Sequence, residues 1–176
     1  MKNVALALMA YEHAWKINDF PAPFVEIWGI RINLIYGLVA GILSLYLAQG
    51  FHLTRDKPAY FERLFILAII SQFPFSMLHV DVLNVVFTYL IGFIAIYSHY
   101  YGYYYLSFIS LAISFIYDPL LDWGYIAVFM IFAFYLLLSY FPEKKITVDF
   151  FRFPKIFYYA FYPAHFFILI GIHYIT

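Results

Sequence analysis

Two histidines set in long apolar stretches are the groups of this chain best suited to chemistry. His13 follows a carboxylic acid in Tyr11-Glu12-His13, and His165 lies with Pro163 in the apolar run 157–172. An imidazole in apolar surroundings needs a partner or a water-filled cavity, and a proline inside a helix costs a hydrogen bond. Neither residue belongs in a plain lipid anchor. Tyr158, Tyr162, His165 and Leu169 recur at helical spacing, which puts His165 on one face with two phenols. A general base must titrate near the working pH and reach the proton it removes. Histidine meets the first condition, and Glu12 is placed to orient or tune it. Adjacent helical residues diverge by about 100°, so only one of Glu12 and His13 is expected to face a given cavity. The plainer readings are a kinked, aromatic-rich last helix with a hydrogen-bonded His165, and a Glu12-His13 pair snorkelling at an interface.

A second group is basic. His52-Leu-Thr54-Arg55-Asp56-Lys57-Pro58-Ala-Tyr-Phe-Glu62-Arg63 joins a hydroxyl to three cations at the end of an apolar segment. Arginine offers a fork of donors to phosphate, so Thr54, Arg55, Lys57 and Arg63 can grip a phosphorylated ligand. The bland reading is a basic loop that fixes membrane topology. Gln72 and Asn84 are uncharged polar groups within apolar stretches, a pattern more common for interhelical hydrogen bonds than for catalysis. Asp122, before Trp123-Gly124, reads as a helix N-cap. With no cysteine, thiolate nucleophiles, thiolate metal sites and disulfides are excluded. There is no HExxH, no glycine-rich phosphate loop and no nucleophile elbow, and no metal is expected. A formal net charge of zero argues against a nucleic-acid partner.

The elements that must position these groups follow from composition. The 176 residues are 66% hydrophobic and 11% charged, with mean hydropathy +0.84. Soluble domains have about 25% charged residues, so the expected class is an all-α polytopic transmembrane bundle in a lipid bilayer. A helical span needs about 17–25 residues, and polar or proline-rich breaks divide the chain into about seven: 3–17, 25–51, 61–78, 82–97, 103–117, 123–140 and 155–175. No repeat or linker divides it further, so 1–176 reads as a single domain. With the N-terminus inside, the inner side holds Lys2, Arg55, Lys57, Arg63, Lys144, Lys145, Arg152 and Lys155, and the outer side only Lys16 and Arg31. His13 then lies eleven residues past Lys2 and His165 ten past Lys155. At about 1.5 Å per residue, both imidazoles reach the same depth, roughly 15 Å in, on the first and last spans.

Six short motifs in order resemble the TraX family of membrane proteins, named after a conjugative pilus acetylase. They are Val4-Ala-Leu-Ala-Leu-Met-Ala-Tyr-Glu12-His13, Gln49-Gly-Phe-His-Leu-Thr54-Arg55, Glu62-Arg63 through Ser71-Gln72-Phe-Pro74, Asn84-Val-Val-Phe-Thr88, Asp122-Trp-Gly-Tyr125, and Phe157 through Tyr162-Pro163-Ala-His165. The family's usual Asp-His is Glu12-His13 here, its Glu before Gly-Phe is Gln49, and its second-span arginine has no counterpart nearer than Arg31. The resemblance implies a multi-pass protein of the bacterial inner membrane that moves an acetyl group from acetyl-CoA to the N-terminal amine of a pilin, or to another envelope acceptor. On that reading His13 or His165 is the general base, oriented by Glu12, and Thr54, Arg55, Lys57 and Arg63 hold the CoA phosphates. Asn84, Gln72 or Tyr162 hydrogen-bonds the oxyanion that develops on the thioester carbonyl. The alternatives are a non-catalytic scaffold or assembly subunit of a pilus or envelope complex, and a small permease using the histidines as a proton relay.

Overall fold

The computed structural model of the chain describes residues 2–17, 24–27, 30–78, 81–141 and 155–175. Its architecture is helical. Seven α-helices occur among the described residues: α1 Lys2–Ile17, α2 Leu34–Leu53, α3 Lys57–Ser76, α4 Val85–Tyr100, α5 Tyr104–Ile116, α6 Gly124–Tyr140 and α7 Lys155–Ile175. A 3₁₀ turn, Asp118–Leu120, lies between α5 and α6. Each expected apolar segment contains one helix, with one correction. The expected second span does not begin at residue 25, because β1 (Phe24–Ile27) and β2 (Ile30–Asn33) form an antiparallel hairpin that sets Val25 opposite Ile32 and Glu26 opposite Arg31. Val, Ile and Phe favour extended backbone, and the helix starts only at Leu34. Arg31, read as part of a helix, lies in a strand.

Among the described residues, no helix is long and apolar enough to cross a membrane. The expected breaker at Asn18, Asp19, Pro21 and Pro23, the loop residue His79, and the polar connection with Lys144, Lys145 and Arg152 lie outside the described residues.

The chain packs as two compact units, Met1–Leu43 with Thr147–Thr176, and Ser44–Ile146. In the first, α1 packs against α7. In the second, α4 is the centre and touches α3, α5 and α6. Helix α4 is buried almost all round, from Val85 to Ser98. Its Gly92 permits the close approach of α6, since a Cβ there would lie 2.5 Å from Cδ1 of the buried Ile131 and 3.3 Å from its Cβ and Cγ2. Gly92→Ala is expected to destabilise the protein by about 1–3 kcal/mol through overpacking. Ile131→Val, which deletes the nearest atom, should recover part of that loss in a thermal-melt double-mutant cycle.

Local chemistry sets the ends of these helices. Asp56 accepts the N–H of Ala59 at 2.9 Å to cap α3. Gly102, at φ +82°, turns the chain out of α4, a backbone region that suits glycine. At the start of α6 the cap is not Asp122: Asp118 Oδ1 accepts the N–H of Tyr125 at 2.9 Å. Asp118 lies one turn further back, and its carboxylate fills the space a side chain at Gly124 would need. The preceding Trp123 holds φ +68°, a left-handed conformation rare for a bulky residue.

Candidate functional site

Helix α1 buries Met9, Glu12 and His13 on one face, and α7 buries Tyr162, His165, Phe166, Leu169 and Ile170 at the i, i+3, i+4 spacing of an inward stripe. These stripes bring the two histidines together. His13 Nδ1 lies 2.9 Å from His165 Nε2, and the rings stack with centroids 5.1 Å apart and planes 18° from parallel. The adjacent Glu12 is buried as completely as His13, so one α1 face takes both despite their angular separation.

Aromatic side chains enclose the pair. Phe166 lies 4.8 Å from His13 and 4.1 Å from His165, centroid to centroid, while Phe161 stacks on His165 at 5.6 Å. Tyr162, expected on the histidine face, sits 5.4 Å from the His165 ring and is buried. On its far side, His165 Nδ1 lies 3.2 Å from the carbonyl oxygen of Phe161, one turn back in α7. Helix α7 runs through Pro163 without ending, which keeps Phe161 and His165 in helical register. The roles of Phe161 and Phe166 were not legible in the sequence, where they are two of 22 phenylalanines.

The remaining candidates belong to the other unit and form two clusters. Thr54, Arg55 and Lys57 lie on the α2–α3 connection and the first turn of α3, with Arg63 further along that helix. Arg55 and Arg63 are exposed, and the Arg63 guanidinium stands 5.9 Å from the ring of Tyr60. Lys57 is engaged locally: its ammonium lies 4.5 Å from the Tyr100 ring centroid and 5.0 Å from that of Phe51, and donates to the Thr54 carbonyl at 3.4 Å. Thr54 Oγ1 donates to the Asp56 carbonyl at 3.3 Å. Nearby, His52 stacks on Tyr135, with centroids 5.1 Å apart. His99, given no role from sequence, places Nδ1 3.4 Å from the Tyr135 hydroxyl.

Gln72 and Asn84 make the interhelical bonds that their type suggested. Asn84 Nδ2 donates to Ala68 O and to Gln72 Oε1, each at 2.9 Å, and Gln72 Oε1 also accepts the Asn84 backbone N–H at 2.9 Å. Asn84 Oδ1 caps α4 by accepting from Val86 N at 2.9 Å. Gln72 Nε2 donates to Ser76 Oγ and Val82 O. Stabilising an oxyanion with either amide would require this network to open. Asn84→Ala is expected to cost about 1–2 kcal/mol, the worth of a lost N-cap and a buried amide. Asn84→Asp keeps the capping oxygen but turns a buried carboxylate oxygen toward Ala68 O and Gln72 Oε1, so it should cost at least as much in the same denaturant titration.

No curated protein and no solved structure matches the chain. The family match stops before α7, so the pairing of His165 with His13 stands on geometry alone. The model of one family, described as TraX protein, matches residues 1–150, and the chain belongs to the TraX family.

Proposed function

We propose that the chain is a membrane-embedded acetyltransferase of the bacterial inner membrane. It moves an acetyl group from acetyl-CoA to the N-terminal amine of a pilin or to another envelope acceptor. Family membership fits a pilus-related role. The single observation that supports catalysis is the enclosed contact of His13 with His165 at 2.9 Å, beside the buried Glu12. Such a pair can take a proton from an attacking amine while its surroundings exclude water. Arg55 and Arg63 are exposed, Arg63 with its guanidinium beside the Tyr60 ring, and they suit the CoA phosphates better than the locally engaged Lys57. Tyr162, beside His165, is the better placed of the oxyanion candidates.

Embedding in lipid is supported by the inverted burial of α5. Its inward stripe is Ser107, Ser110 and Ser114, whereas Phe108, Ile113 and Phe115 face outward. Ser110 and Ser114 hydroxyls donate to the carbonyls of Leu106 and Leu111. Water selects the opposite arrangement, while helices in lipid pack through small residues and turn bulky apolar ones outward.

Labelled acetyl-CoA should bind the purified protein in detergent. Arg55→Ala with Arg63→Ala should weaken it at least about tenfold, since each charge-assisted hydrogen bond contributes roughly 1.5–3 kcal/mol. Candidate pilins from cells lacking this protein should be lighter by one acetyl group in intact-mass measurement. No donor binding at saturation, with unchanged pilin masses, would instead favour a non-catalytic scaffold, a reading consistent with the structural use of Gln72 and Asn84.

A further inference from the structure

We infer that Tyr100 and Tyr101 form a stacking platform for the adenine base of the acetyl donor, beside the cations that take its phosphates. The inference rests on the acetyl-transfer reading and goes beyond it by naming the residues that recognise the base. The two rings lie at the C-terminal end of α4 and are half exposed, Tyr100 at 52% and Tyr101 at 50%. Their centroids are 5.0 Å apart and their planes 87° from parallel. Rings at right angles make a corner, in which a flat base stacked on one meets the other. Gly102 follows and turns the chain, and a Cβ there would meet nothing within 4 Å beyond its chain neighbours, so the corner opens onto clear space. The rings are braced from behind. Tyr100 packs edge-on to the buried Phe51 at 5.6 Å, and the Lys57 ammonium sits 4.5 Å from its centroid. Tyr101 leans on Tyr97 at 4.7 Å, and Tyr97 lies 6.1 Å from the buried Phe93. Phe93 also backs Phe51 at 5.3 Å and Tyr60 at 5.4 Å, and the Arg63 guanidinium stands beside that Tyr60 ring. One aromatic cluster therefore joins the platform to Lys57 and Arg63, and Arg55 lies two residues before Lys57.

Tyrosines at the end of a membrane helix commonly form an interfacial belt. Tyr103, Tyr104, Tyr105 and Tyr140, each more than half exposed, suit that role. Tyr100 and Tyr101 differ in being fixed beside cations. A base presents a π-face to a ring, and its phosphates take charged donors such as the arginine fork. A nucleotide carries both in one molecule, whereas a phospholipid headgroup brings the phosphate without an aromatic base. Rings already held in place lose little conformational freedom when a ligand stacks on them. Lys57, held between Phe51, Tyr100 and the Thr54 carbonyl, braces the platform and leaves the phosphates to Arg55 and Arg63.

The test is binding to the full-length protein in neutral detergent, read with three probes. Labelled acetyl-CoA is the whole donor, adenosine 3′,5′-bisphosphate keeps the base without the acetyl arm, and inorganic pyrophosphate has no base. Tyr100→Leu combined with Tyr101→Leu should weaken acetyl-CoA and the bisphosphate by about tenfold, within the range that base stacking supplies. Pyrophosphate should bind this variant as it binds wild type, which also shows that the variant is folded. Tyr100→Phe combined with Tyr101→Phe keeps both π-faces and should bind the nucleotides as wild type does. Equal weakening of pyrophosphate would overturn the inference, because the rings would then act only by bracing the cations. Unchanged nucleotide binding in the leucine variant would overturn it too, and would leave both tyrosines to the interfacial belt. The inference and the acetyl-transfer reading fail separately. If the bisphosphate binds through the rings but wild type transfers no acetyl group, the acetyltransferase reading falls and the platform stands. If the leucine variant transfers acetyl with an unchanged KM for acetyl-CoA, the platform falls and the reading stands. No binding of any probe by wild type would overturn both.

Discussion

Alanine in place of His13 is expected to slow acetyl transfer by about a thousandfold, and adding alanine at His165 should slow it little further. The reason is that the two rings form one device. Once one ring is gone the pair no longer exists, so replacing the other removes little more from the transition state. Independent roles would multiply, and the double variant would then fall below the single by the full His165 factor. Donor binding provides the control. The cationic residues Arg55 and Arg63 lie on α2–α3 and not among the histidine contacts, so affinity for acetyl-CoA should change little while turnover collapses. Stability needs its own measurement, because both imidazoles are buried and their loss opens space in the α1–α7 contact. A melt that falls in step with activity in all three variants would point to a packing role and not a catalytic one.

The equal level of the two histidines along their helices was legible because residues can be counted, whereas that they face each other was not. Lys2 and Lys155 begin the first and last helices, so eleven and ten residues bring His13 and His165 to one level, and the buried stripes on α1 and α7 supply the rotation that counting cannot. The backbone atom beside His165 Nδ1 was not legible. It is the backbone carbonyl of Phe161, common to every residue type and noticed only once α7 is seen to continue through Pro163. The hairpin at 24–33 was hidden for a related reason: a short apolar run before a helix has the composition of the helix itself, and only its β-branched residues hint at strands. Gln72 and Asn84 were readable in kind, as polar groups that tie helices together. Asn84 as the cap of α4 needed the start of that helix to be known. Asp122 shows the converse error, since two acids four residues apart both resemble caps, and the turn of chain at Trp123 gives the position to Asp118.

Aspartate in place of Phe108 is expected to be among the most damaging surface substitutions, although the side chain contacts little of the protein. Phe108 is 72% exposed on the outer face of α5, opposite the buried serine stripe. If that face meets water, an acidic residue there is harmless or helpful, and surface changes of this type usually stay within about 0.5 kcal/mol. If it meets lipid, a carboxylate near the middle of the helix costs about 3 kcal/mol. Helix α5 spans only about 20 Å at 1.5 Å per residue, less than the roughly 30 Å of a hydrocarbon core, so about 3 kcal/mol is the upper end of the cost at this position. The expected result is loss of the variant from the membrane fraction and a lowered melting point in vesicles. Phe108→Leu should be neutral in both surroundings. Ser110→Phe should be harmful in both, because it overpacks the α4 and α6 side. Only the response at Phe108 to charge separates the solvents, and a fully tolerated aspartate there would remove the main physical support for placing α5 in a bilayer.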